Sequence, residues 1–118
     1  MFEFINIVAA ILTIVFGCFG FLAPRFTMGA LYLQTDGNTM GLSEVRASVG
    51  GLFVFTGIAC LLLGTTESYF MLGVAYVGAS AGRLLSLVVD QPPFSKAFTY
   101  FAIEAAIAVW LIAANYPG

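Results

Sequence analysis

The chain has 118 residues, of which 61% are hydrophobic and only 8% charged, with four basic and six acidic side chains and a formal net charge of −2. Soluble domains carry about 25% charged residues, so ten charges cannot clothe a water-facing surface, and four scattered cations make no basic patch for nucleic acid. There is no histidine, which removes the commonest metal ligand and the commonest general base.

The first apolar run extends from Phe4 to Ala23 and is closed by Pro24-Arg25. It has Glu3 and no Lys or Arg before it, and it is long for the apolar core of a signal peptide, so it is read as a retained span. Phe26 to Leu33 could form a short helix in the membrane interface, and Asp36-Gly37-Asn38-Thr39 is a turn signal. Further apolar runs cover 44–64, 68–89 and 94–115, separated by tight turns at Thr65 to Glu67 and at Asp90-Gln91-Pro92-Pro93. Each run is close to the ~20 residues that cross a hydrocarbon core as a helix. Lipid offers the backbone no hydrogen bonds, so these runs read as helices, and the alternation of transmembrane strands is absent. The expected fold is an all-α membrane protein, a single domain over 1–118 built as an antiparallel bundle of four transmembrane helices.

Arg25, Arg46, Arg83 and Lys96 all fall toward one side of this topology, while Glu3 and Glu67 lie toward the other. The positive-inside rule then places both termini outside, in the periplasm of a bacterial inner membrane. At ~1.5 Å per residue, Cys18 lies roughly 9 Å and Cys60 roughly 24 Å from the basic side, too far apart in depth for a disulfide.

Polar residues fall on stripes. The third span carries Tyr69, Tyr76, Arg83 and Asp90 at intervals of seven, which share one face because a helix drifts only ~20° per heptad. Ser80 and Ser86 flank Arg83 on that face. The fourth span carries Lys96, Tyr100 and Glu104 at intervals of four, again one face. Arg83 lies roughly 10 Å and Glu104 roughly 15 Å from the basic side, so an Arg83–Glu104 pair is within easy reach. A lone charge at mid-bilayer costs about 2.5–3.5 kcal/mol on insertion scales. The expectation is a compensated cluster of Glu44, Arg46, Arg83, Asp90 and Glu104, with Lys96 at its rim and Tyr76, Ser80, Ser86 and Tyr100 supplying hydroxyls. Such a cluster can be a functional centre or can only set helix register; the residues alone leave both open. Asn6, Ala10, Thr13, Gly17, Gly20 and Pro24 make a narrow stripe of small residues on the first span. Ala47-x-x-x-Gly51 and Gly78-x-x-x-Gly82 repeat the pattern on the second and third. Such stripes let helix backbones approach closely.

Glu44-Val45-Arg46-Ala47-x-x-Gly50-Gly51 and Gly82-Arg83-x-x-Ser86-x-x-x-Asp90 together resemble a family of small bacterial four-helix inner-membrane proteins known only as a domain of unknown function, with a distant similarity to DoxX-like membrane proteins. The resemblance spans nearly the whole chain. It implies four helices and marks Glu44, Arg46, Arg83, Ser86 and Asp90, but implies no activity. A glycine commonly follows the aspartate in that pattern; here Gln91 does.

No phosphate loop, metal-spaced cluster or nucleophile–base pair is visible, so neither an enzyme nor a cofactor or metal is expected. The first functional expectation is an accessory or interaction subunit of a larger membrane complex, partnered by lipid and by other membrane chains or copies of itself. The alternative is binding or transport of a proton, an ion or a small amphiphile such as a quinone or lipid at the Arg/Glu/Asp cluster.

Overall fold

The structure, a computed structural model, describes residues 2–34 and 37–116. Asp36 of the expected turn therefore lies outside the described residues. Among those described there are helices and no strand: α1 (Phe2–Leu22), α2 (Pro24–Ala30), α3 (Met40–Glu44), a π-helical stretch (Val45–Leu52), α4 (Phe53–Leu63), α5 (Thr66–Val89) and α6 (Phe94–Asn115). α3, the π-helical stretch and α4 run on as one span, Met40–Leu63, and with α1, α5 and α6 make four helices long and apolar enough to cross a membrane. The chain is a multi-pass, all-α membrane protein. Leu22, Leu62, Val88 and Val109 are among its many exposed apolar side chains, as hydrocarbon-facing surfaces require.

Local chemistry explains the boundaries. The second span starts at Met40, four residues before the start expected at 44, because Asn38 Oδ1 accepts the Met40 N–H at 2.9 Å and the Thr39 carbonyl accepts from Ser43. Gly64, at φ +62°, ends α4 in the left-handed conformation that glycine adopts without strain. Thr65 Oγ1 then caps α5 by accepting the Ser68 N–H at 3.2 Å, so α5 begins at Thr66 and not at 68. The short helix expected at 26–33 is also displaced: it runs from Pro24 to Ala30, with proline in its first turn, where no N–H is needed. Between α5 and α6, Gln91 adopts φ +49°. That is the conformation a glycine would take more cheaply, which accounts physically for glycine in the resembling pattern.

The chain divides into two compact units. The first, Ile7–Leu63, is an antiparallel hairpin in which backbones touch. A Cβ at Gly50 would lie 2.5 Å from the Phe21 nitrogen, one at Gly20 3.0 Å from the Gly50 nitrogen, and one at Gly57 3.0 Å from the Ala10 carbonyl oxygen. Glycine is therefore the residue that fits along this seam. The small-residue stripe of the first span is its buried face: Ala10, Thr13, Gly17, Gly20 and Pro24 are all buried. The π-helical turns lie where Gly20 and Gly50 meet.

The second unit comprises Gly64–Gly118 together with Met1–Asn6. Its core is the antiparallel pair α5 and α6, with Leu72, Tyr69, Tyr76, Ala108 and Leu111 buried. A Cβ at Gly73 would meet Leu111 Cβ at 2.9 Å, and Phe70 and Tyr116 form an edge-to-face pair near its end.

Candidate functional site

The heptad face of α5 passes from buried to open along its length. Tyr69 and Tyr76 are buried, Arg83 is half-buried and Asp90 is exposed. Arg83 meets Glu104 of α6 in a fork: Nε donates to Oε1 at 3.2 Å and Nη2 to Oε2 at 3.1 Å. The two side chains remain 32% and 20% exposed. Tyr100 sits one turn before Glu104 on the same face of α6, and the Arg83 guanidinium carbon lies 5.4 Å from its ring centroid. One face of α6 thus offers the arginine both a carboxylate and an aromatic ring.

This fork uses Nε and one Nη2 hydrogen. Three N–H groups of Arg83 remain for another acceptor, because guanidinium carries five. The pair is electrically neutral, so it suits a neutral polar group better than an anion. One turn from Arg83, the Ser80 hydroxyl is buried and has no hydrogen-bond partner among the described residues. The contrast with other hydroxyls is plain. Thr13, Thr27, Ser48 and Thr99 each donate to the carbonyl four residues back, the usual refuge of a hydroxyl in a helix.

The other expected residues are described each within its own unit. Ser86 is half-buried, and its carbonyl accepts the Asp90 N–H that closes α5. The Asp90 side chain is exposed at the helix end. Glu44 and Arg46 belong to the first unit and both are exposed. There Arg46 takes a main-chain acceptor and, among the described residues, no carboxylate: its Nη1 donates to the Phe21 carbonyl at 2.6 Å, where α1 breaks at Ala23-Pro24. Among the described residues no group of three or more His, Cys, Asp or Glu could hold a metal, and Cys18 and Cys60 are not joined in a disulfide.

One polar pair escaped the sequence reading. Asn6 and Asn115 exchange amide hydrogen bonds of 2.8 and 2.7 Å, and Asn115 also donates to the Leu111 carbonyl. Both are buried. The available signal was their depth, since each lies near the end of a span on the same expected side. Asn6 was seen only as a member of the small-residue stripe.

A family model described as Domain of unknown function (DUF4345) matches residues 1–115, and the chain belongs to that family. No curated protein and no solved structure matches it.

Proposed function

We propose that this member of the DUF4345 family is a non-enzymatic interaction subunit, which joins other membrane-embedded chains through the outward face of α5. One observation carries the reading. Cβ atoms at Gly78 and Gly82 would meet nothing within 4 Å among the described residues. Glycine inside a helix is destabilising by roughly 0.5–1 kcal/mol relative to alanine, and at Gly50 and Gly73 close packing within the chain explains it. At Gly78 and Gly82 nothing among the described residues does. A small-xxx-small face in lipid is a surface on which a second helix can pack. α6 adds an open apolar recess lined by Ala105, Ala106, Val109, Trp110 and Ala113. The protein acts in a bacterial inner membrane with both termini periplasmic, following the distribution of its four basic residues.

Purification from native membranes in mild detergent tests this. A stoichiometric partner is expected, and Gly78→Leu or Gly82→Leu should release it while the thermal transition of the purified chain stays unchanged. A wild-type chain that always runs alone, or a partner indifferent to both substitutions, overturns the proposal.

The unpartnered Ser80 hydroxyl and the three unused N–H groups of Arg83 favour a second reading, in which a small amphiphile such as a quinone or lipid places a polar group beside Arg83. Arg83→Leu should then abolish binding of a quinone probe in a protein that still folds. Equal binding by wild type and variant would remove this alternative.

A further inference from the structure

The first unit holds an arrangement of cations of its own. α1 breaks at Ala23-Pro24, and Pro24 has no N–H to continue the helical ladder. Across this break Arg46 donates Nη1 to the Phe21 carbonyl at 2.6 Å. The bond fixes the guanidinium at the end of the span and leaves four N–H groups unused. Arg25 is the second residue of α2, which packs against the π-helical stretch that carries Arg46. Arg25 and Arg46 are both exposed, and no carboxylate pairs with either among the described residues. Glu44 is the acidic residue nearest in sequence among those described, and at two residues from Arg46 it faces another side of the span. Exposed apolar side chains lie close by in the sequence: Leu22 and Phe26 to either side of Arg25, and Met40 ahead of Arg46 on the second span.

We propose that Arg25 and Arg46 bind the phosphate headgroup of an anionic phospholipid, with Leu22, Phe26 and Met40 against its glycerol and acyl portion. Two guanidinium groups, one of them anchored in advance, attract a singly charged phosphodiester and offer its two non-bridging oxygens several N–H donors. The position at the end of two spans is headgroup depth, where aromatic and basic residues collect. A free phosphate would gain nothing from the exposed apolar rim, so the lipid is the occupant.

The test uses the full chain in phosphatidylcholine nanodiscs with and without phosphatidylglycerol, reading retained lipid by native mass spectrometry after extraction. Phosphatidylglycerol should be retained in preference to phosphatidylcholine. Arg25→Gln, which removes no side-chain hydrogen bond among the described residues, should cut that preference roughly tenfold, as expected for hydrogen bonds to a charged group. Lys96→Gln removes the same charge elsewhere and should cut it far less. Millimolar inorganic phosphate should leave it intact. Arg46→Gln should act in the same direction as Arg25→Gln. Equal retention of the two lipids, an equal loss in Arg25→Gln and Lys96→Gln, or displacement by inorganic phosphate would each overturn the assignment.

Discussion

The two units hold helix pairs together in hydrocarbon by different means. In Ile7–Leu63 the seam is glycine and main chain: Gly17, Gly20, Gly50 and Gly57 bring backbones into contact, and Arg46 bonds a carbonyl. In the unit of α5 and α6 the seam is side chain on side chain: Arg83 with Glu104, Asn6 with Asn115, Tyr69 and Tyr76 in the core. There Gly73 alone of the α5 glycines is enclosed, while Gly78 and Gly82 stand open. Between helices in lipid, dispersion and hydrogen bonds must replace the hydrophobic effect. Close backbone approach maximises the first, and paired polar side chains supply the second. A seam made of backbone has no group left over along its length, and only Arg46 at its end keeps donors for a ligand. A seam made of polar side chains has spare donors, and it leaves glycines free on the outside.

The largest expected effect strikes the side-chain seam. Glu104→Leu should destabilise the protein by about 3–5 kcal/mol, because it strands a guanidinium in an apolar setting. The double variant Arg83→Leu/Glu104→Leu should recover most of that loss. Chemical unfolding in a defined detergent, run as a double-mutant cycle, checks both; additive losses would show that the pair is not a coupled unit. Next comes the backbone seam. Gly50→Ala should cost about 1–3 kcal/mol, since its methyl would overlap the Phe21 main chain, which cannot swing aside like a flexible side chain. A variant as stable as wild type would mean that the two helices separate at little cost.

Smaller effects sharpen the contrast. Asn115→Leu should lower stability by about 0.6–1.7 kcal/mol, the range for interhelical polar bonds in membranes, and Asn6→Leu should add little on top because the pair is already broken. Thermal scans of the two single variants and the double variant suffice. Gly78→Ala should be neutral or stabilising by up to about 1 kcal/mol in the isolated chain, opposite in sign to Gly50→Ala. If the two glycines respond alike, the distinction between an enclosed and an open glycine face has no energetic content.

Much of this molecule follows from the order of its residues alone. Four apolar runs of span length, ten charges and breaks at Pro24, Gly64 and Pro92-Pro93 dictate four membrane-crossing helices, because the backbone in lipid has no alternative way to satisfy itself. The small-residue face of α1 and the reach of Arg83 to Glu104 were equally legible, since both depend on helical periodicity and depth. Tertiary structure decided the rest. Periodicity places Gly50, Gly73 and Gly78 on faces but does not say which face meets a neighbour, so only packing separates an enclosed glycine from an open one. It likewise assigns Arg46 to a carbonyl freed by a break some twenty residues away, and pairs Asn6 with Asn115 across almost the whole chain. Such partners are set by which helices lie side by side, and nothing local in the chain carries that information.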